Sequence, residues 1–486
     1  MPPVLFSVRI YAIALAVLFS FLCLTLIHRA EYDDEAWFAE QSYWLIHAGY
    51  VKSELFWGYN GWEKGLYVFH KLFIYAGALV MRVAGISVFT SKLVSIFFGF
   101  AGGYLIWWYN RFKPVEQRYL ALILYVGNGS VIRYLSVNRP EVMCMALGFA
   151  SYLALDPPGN RRAKPVLAAL LAGLAALAHL NGLIYLTAGT IWLLRKRGWQ
   201  STFWFMLTGI LTLSLYGLDA LLTGNLGTLL TQFRDDPATQ QNQHLADKLS
   251  VLADYHHIFF HTQNEAALTL LVIVGAILSW KRIRLAQPIF LYTSLLFVSF
   301  WLLTKSDSDV YYLLFVPWFV TLATTWLSDH LADRFAWQRK LVQALLVVYM
   351  LIALVQLRFV FDENRTQPDI EFHNALLASH MPYRGSKVIA PMGFFFGQME
   401  NYKIRSLTYY ALQKRASGGV LLPAFFTEAA QDSIQYIITD HSGDLPENIP
   451  ARIGAYQRIF QDQWEAIYAR SAAKTGTIPE RRTLEN

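Results

Sequence analysis

Acidic and basic side chains gather at the two ends of one short stretch. Glu31, Asp33, Asp34 and Glu35 place four carboxylates in five residues, and Trp62-Glu63-Lys64-Gly65 closes the stretch with a carboxylate and an ammonium. Trp, Tyr and Phe fill the middle. Carboxylates beside low-dielectric lipid are driven toward the neutral range, where a general base can take a proton. A lysine at the same boundary can neutralise a phosphate, with Glu63 orienting it or binding substrate hydroxyls. The plainer alternatives are a solvated acidic flank and a surface ion pair worth ~0–1 kcal/mol.

Further along, Arg139-Pro140-Glu141 opens an apolar run. Proline at a first helical position is ordinary, and ionisable groups at the ends of membrane crossings often line sites. The pair is therefore a site candidate or an anchor. Lys305-Ser306-Asp307-Ser308-Asp309 makes a tight polar loop before Tyr311, Tyr312 and Pro317. Lys305 could clasp a lipid phosphate with the tyrosines donating to it, or Lys and Tyr could simply anchor an interface. His256, His257 and His261 have helical spacing for metal ligands but no carboxylate motif beside them. Neither G-x-S-x-G nor G-x-x-x-x-G-K-[ST] occurs, which argues against a serine hydrolase and an ATP-driven pump.

These residues sit in a membrane protein. The chain has 486 residues, 55% hydrophobic and 15% charged, where a soluble domain carries about 25% charged. Long apolar runs predict helices rather than a barrel. The net charge of +7 sits in short loops between those runs, as topology determinants do, so nucleic acid is not the expected partner. Cys23 and Cys144 both fall inside apolar runs, which excludes a disulfide framework. The first run follows Arg9 without a clear cleavage site and reads as an uncleaved anchor.

Eleven apolar runs are counted: 8–27, 89–109, 119–132, 141–155, 166–178, 183–194, 202–222, 266–280, 288–304, 310–327 and 341–361. Basic clusters around Arg9, Arg111, Lys164, Arg195, Lys281 and Arg339 alternate onto one side, which the positive-inside rule makes cytoplasmic. Eleven crossings then put the acidic stretch (first outer loop, 28–88) and the C-terminus outside. Residues 166–194 are long for one crossing and short for two, with basic clusters at both ends. The expectation is a hairpin whose tip, His179-Leu180-Asn181-Gly182, lies below the outer surface; a single tilted helix is the alternative. Residues 66–85 carry Lys71 and Arg82, which with Lys64 return to one helical face, and are expected along the interface. Asp34–His47, with Trp37, Phe38, Trp44 and Leu45, reads the same way. Residues 223–265 form a polar loop. Residues 362–486 read as a small outer α/β domain with strand-like runs at Lys387–Ala390 and Ser433–Thr439. The expected architecture is an all-α polytopic domain over 1–361, with interfacial helices, followed by that α/β domain.

At Asp34-Glu35-Ala36-Trp37-Phe38-Ala39, followed by Trp62-Glu63-Lys64, the chain resembles the GT-C glycosyltransferases that use polyprenyl-phosphate sugars. The protein mannosyltransferase and lipid A aminoarabinose transferase group is the nearest likeness. There a first outer loop starts Asp-Glu and ends in aromatic-Glu-Lys-Pro about thirty residues on; here Asp34 and Glu63 are 29 apart. Arg139-Pro140-Glu141 and the Tyr311, Tyr312, Pro317 helix start also look like the family. Gly65 stands where the family has proline, Phe38 where tyrosine is usual and Glu141 where Asp is common.

The resemblance implies inverting transfer of a sugar from a polyprenyl-phosphate donor to an acceptor hydroxyl on the outer face of a bacterial inner membrane. The acceptor is a glycan, a lipid or a protein. Asp34 would be the base and Glu35 and Glu63 its supports. Lys64, with Arg139 or Lys305, would stabilise the departing phosphate; Glu141, Tyr311 and Tyr312 would complete the pocket. No cofactor is called for with certainty, and a divalent cation is left open. A phosphate already stable as an anion needs cations rather than a general acid. The rival class is a transporter or flippase, which would carry mid-bilayer charges and paired broken helices. A third option is a non-catalytic assembly protein.

Overall fold

The computed structural model describes residues 8–26, 34–158, 163–235, 252–281, 283, 287–303, 308–331, 336–410, 421–440, 445 and 449–471. The chain divides into two units: residues 1–53 with 58–369, and residues 54–57 with 370–486.

The first unit is helical, and each of the eleven apolar runs contains a helix. In chain order they are α1 (Val8–Leu26), α2 (Glu35–Ala48), α3 (Lys71–Ala84), α4 (Val88–Tyr109), α5 (Val115–Val126), α6 (Gly129–Tyr134), α7 (Pro140–Leu155), α8 (Pro165–Ala178) and α9 (Leu183–Lys196). Then follow α10 (Trp199–Ser214), α11 (Leu218–Leu222), α12 (Leu226–Asp235), α13 (His256–Phe260), α14 (Gln263–Leu278), α15 (Pro288–Leu303), α16 (Val316–Leu331) and α17 (Ala336–Thr366).

The helices bear out a multi-pass membrane protein but not a count of eleven full crossings. Among the described residues five helical stretches are long and apolar enough to cross, and a sixth if Leu252–Phe260 and α14, bent by 102°, are one span. α7, α8 and α15 are apolar but shorter. A 16-residue helix such as α7 rises only about 24 Å, less than the ~30 Å hydrocarbon layer.

The two expected interfacial helices are both present, and each packs a face against other helices of the unit. α2 is buried almost continuously from Glu35 to Tyr43. α3 starts only at Lys71, and its stripe of Phe73, Ile74, Gly77, Ala78 and Met81 is buried against α2, α4 and α8. Lys64 therefore does not share a helical face with Lys71 and Arg82. Lys71 is buried and its Nζ lies 2.6 Å from Asp219 Oδ2, while Arg82 is exposed. Burial of the cation is tolerated because it is paired.

The run 166–194 breaks where the sequence predicts. α8 ends at His179, whose backbone is extended, and α9 begins after Gly182. The chain turns back so tightly that a Cβ on Gly182 would lie 2.5 Å from the Ala175 carbonyl carbon. The polar stretch 223–265 is not all loop, since its first part forms α12. There Gln232 is fully buried, accepting from the Tyr67 N–H at 2.8 Å and donating to the Gly65 carbonyl at 2.8 Å.

The second unit is a mixed sheet ordered β2-β1-β3-β6-β5-β4. Its strands are β1 (Lys387–Ala390), β2 (Lys403–Ser406), β3 (Ile434–Asp440), β4 (Arg452–Ile453), β5 (Tyr456–Gln461) and β6 (Glu465–Arg470). β1 pairs in parallel with β2 and β3, and the rest of the sheet is antiparallel. Phe425 and Phe426 of α19 (Leu422–Gln431), which follows α18 (Ile370–Ser379), pack with Ile437, Tyr456 and Tyr468 as its core.

Two boundaries differ from the composition shift after Phe361. α17 continues to Thr366, helped by an Arg358–Asp362 pair at 2.7 Å one turn apart, so the division falls after Asp369. Glu54–Trp57 also belongs to the second unit. The Leu55 carbonyl accepts from the Ser406 N–H at 2.9 Å, and Phe56 meets Tyr409 with ring centroids 5.1 Å apart.

The seam between α7 and α9 depends on one missing side chain. A Cβ at Gly148 would run into the Tyr185 ring. That ring cannot retreat, because its hydroxyl donates to the Leu314 carbonyl at 3.0 Å and its face stacks on Trp318 at 5.4 Å. Gly148→Ala is expected to destabilise the protein by about 1–3 kcal/mol. Thermal unfolding in detergent checks this, and an unchanged melting temperature would contradict the packing.

Candidate active site

Asp34 stands at the N-cap of α2, a position Asp favours because its oxygen can accept from the first free N–H groups. Here it makes no cap hydrogen bond. Its Oδ2 instead accepts from Arg139 Nη1 at 2.9 Å, and the side chain stays 43% exposed. Among the described residues Oδ1 has no hydrogen-bond donor.

Arg139 is set just before α7, with Pro140 as first helical residue. Its backbone is pinned to α4: Ser95 Oγ donates to the Arg139 carbonyl at 3.0 Å and accepts from its N–H at 3.1 Å. The guanidinium then forks. Nε and Nη2 donate to the two oxygens of Glu141 at 3.3 and 3.1 Å, leaving Nη1 for Asp34. Burial works against the Arg139 charge, but Glu141 and Asp34 outweigh it and lift the group above its ordinary value.

Two histidines complete the cluster. His179 Nε2 lies 3.7 Å from Glu141 Oε1, and its ring stacks on His70 with centroids 4.7 Å apart. His70 meets Phe38 edge-on at 5.3 Å, and Tyr311 meets His179 at 5.7 Å. Burial pushes His70 down to about 3, with His179 the next cause, and burial also lowers His179. Both rings are neutral at neutral pH.

The other candidates divide. Glu35 is one residue from Asp34 but only 1% exposed. It bonds to the Asn138 N–H through Oε1 and lies 3.4 Å from the equally buried Lys92 through Oε2. It clamps the start of α2 to the turn before α7. Tyr312 is likewise fully buried, and its hydroxyl accepts from Thr269 Oγ1 at 3.2 Å. Lys305 lies outside the described residues.

Glu63 accepts from the Gly58 N–H at 3.3 Å rather than pairing with Lys64. Lys64 is exposed, and among the described residues no carboxylate pairs with it. Its turn is tied to α2 by a parallel stack of Trp37 on Trp62, centroids 5.5 Å apart and 11° from coplanar. A second tie joins the Ser53 N–H to the Trp62 carbonyl at 2.9 Å, and Ser53 Oγ in turn donates to Glu40 at 2.6 Å. Gln232 braces the far side through Gly65 and Tyr67.

His261 is 3.7 Å from Asp309. Among the described residues no group of three or more His, Cys, Asp or Glu side chains is arranged to hold a metal ion. The roles of His70, His179 and Gln232 escaped the sequence reading. Their one visible signal is a polar side chain at the end of an apolar run or inside a predicted loop.

No family model matches the chain. No curated protein matches it in sequence. Its fold is nonetheless that of the GT-C glycosyltransferases. ArnT from Cupriavidus metallidurans, solved bound to undecaprenyl phosphate, is similar over 97% of this chain and 100% of its own, with TM-score 0.66 and 12% identity. The arabinofuranosyltransferase AftD from Mycobacteria is similar over 97% of this chain and 40% of its own, with TM-score 0.52 and 15% identity. The Archaeoglobus fulgidus oligosaccharyltransferase is similar over 88% of this chain and 68% of its own, with TM-score 0.51 and 11% identity. At such identities the likeness is one of fold.

An imidazole held neutral in the fold protonates more readily once unfolded, so the unfolded state binds more protons below its pKa of about 6.5. Stability is then expected to fall as the pH drops from about 6.5 toward about 4.5. His70→Phe, which keeps a ring against Phe38 and His179, should lose less over that range. Melting curves against pH check this, and equal slopes for the two proteins would contradict it.

Proposed function

We propose that the protein is an integral membrane glycosyltransferase that moves one sugar from a polyprenyl phosphate to an acceptor hydroxyl on the outer face of the membrane, with inversion. The observation that carries this reading is the half-exposed Asp34 carboxylate, gripped through one oxygen by Arg139, on the first loop of a GT-C fold. The lipid-phosphate donor is supported by the undecaprenyl phosphate bound to the ArnT relative.

Asp34 Oδ1 takes the proton of the acceptor hydroxyl as that oxygen attacks the anomeric carbon. The bond from that carbon to the phosphate oxygen breaks, and the electron pair leaves on the phosphate. No general acid is required, because the leaving group is stable as an anion; fixed positive charge supplies the stabilisation. Lys64, exposed and without a carboxylate partner among the described residues, is the cation for it. Arg139 holds the base, and Glu63 fixes the turn that carries Lys64. The positive-inside arrangement of basic loops supports an outer location for Asp34.

Asp34→Asn keeps the shape and the Arg139 contact but removes the basic oxygen. It is expected to lower turnover by about 10²–10⁴ while leaving undecaprenyl phosphate binding within about twofold. Full activity in that variant would remove the assignment of the base. Lys64→Ala is expected to weaken undecaprenyl phosphate binding on the order of tenfold, and unchanged binding would count against its role. Both are read with purified protein in detergent, by release of free polyprenyl phosphate and by ligand titration.

A further inference from the structure

His179 occupies the turn between α8 and α9, and its ring is held from several directions. The Asn181 N–H donates to Nδ1 at 3.1 Å. His70 covers one face, 17° from parallel, and Tyr311 stands edge-on. A neutral imidazole whose Nδ1 accepts a backbone N–H carries its only proton on Nε2. That nitrogen is the one 3.7 Å from Glu141 Oε1, the oxygen that also accepts from Arg139 Nη2. The ring is only 8% exposed, so water competes little for that proton, and its lowered pKa keeps the single-proton form.

We propose that His179 is a positioning residue for glycosyl transfer: its Nε2–H dipole, facing Oε1, biases the placing of the Glu141 carboxylate, and Glu141 orients the Arg139 guanidinium that holds Asp34. The inference rests on the transferase reading of this site. The Nε2–H faces Glu141 across 3.7 Å, longer than a hydrogen bond, and so acts as a dipole beside the carboxylate, whereas the Arg139 fork is tight. Arg139 engages both oxygens of Glu141, so a swing of that carboxylate turns the guanidinium plane and carries Nη1 with it. A displacement of about 1 Å at a reacting group is enough to cost up to ~10² in rate. The role involves no proton transfer, because Nδ1 is occupied and the Nε2 proton faces a carboxylate already ionised by Arg139. The turn that aims the ring depends on Gly182, whose position against Ala175 leaves no room for a side chain.

Two substitutions separate positioning from packing. His179→Phe keeps a ring to stack on His70 but has no N–H, whereas His179→Gln gives up the ring and keeps a donor near Nε2. Purified wild type and variants receive the total polyprenyl-phosphate lipid fraction of their own cells. Released polyprenyl phosphate is followed by mass spectrometry, and undecaprenyl phosphate affinity is measured separately. His179→Phe should lower turnover on the order of tenfold with affinity within about twofold, and His179→Gln should recover to within about threefold of wild type. In a Glu141→Gln background, adding His179→Phe should cost no more than about twofold further.

Wild-type turnover in His179→Phe would overturn the proposal. So would a Gln variant as slow as the Phe variant, an undiminished loss in the Glu141→Gln background, or a Phe variant that fails to fold, which would assign the ring to packing. A wild-type protein that releases no polyprenyl phosphate would defeat the transferase reading and this role with it. An active wild type with an indifferent His179→Phe would defeat this role alone.

Discussion

One guanidinium shared between two carboxylates organises the site. Arg139 presents a rigid planar fork: two of its nitrogens satisfy Glu141 and the third reaches Asp34. A lysine, a single point of charge on a flexible stem, could not hold both at once. The cost of setting an arginine that is only 18% exposed beside the buried Glu141 is met because each charge has a partner. Removing any one of them would strand the others. The same contact unites elements far apart in the chain, since Asp34 begins α2, Arg139 begins α7 and Ser95 of α4 pins the arginine backbone.

The rest of the first unit serves that geometry. The Glu35–Lys92 pair and the Asn138 hydrogen bonds fix the start of α2 to the approach to α7. The Trp37–Trp62 stack, the Ser53 bridge and Gln232 fix the Lys64 turn. The proposed base and cation, carried on a loop, are thereby given the rigidity of helices, which is what electrostatic stabilisation of a leaving phosphate would demand. The sharp turn at Gly182 adds His179 to the same cluster.

Much of this was legible in the sequence, though unevenly. Apolar runs announced the helices, Arg139-Pro140-Glu141 announced a helix start carrying charge, and Lys387–Ala390 announced a strand with its bounds. These are local signals. What was hidden depends on tertiary partners. Lys71 read as one of three cations on a helical face, and its pairing with Asp219, distant in sequence, carried no local signal. Tyr311 and Tyr312 looked equivalent, but they lie in a 3₁₀ turn, Asp309–Phe315, where successive side chains point about 120° apart, so one meets His179 and the other enters the core. Glu35 and Asp34 diverge for a similar reason at the first turn of α2. His70 and His179 belong to different elements, and no spacing rule joins them. Apolar composition marks a buried short helix as readily as a membrane span, so among the described residues eleven apolar runs correspond to five helical stretches of spanning length.

The account stands on Asp34, Arg139 and Lys64 serving one lipid-phosphate pocket. A cryo-electron microscopy structure of the full-length protein with undecaprenyl phosphate tests that most directly. The account predicts the phosphate within about 4 Å of the Lys64 ammonium or the Arg139 guanidinium, on the side of Asp34 where Oδ1 is open. A phosphate bound away from both cations, with the Asp34–Arg139–Glu141 contact remote from the ligand, would contradict it.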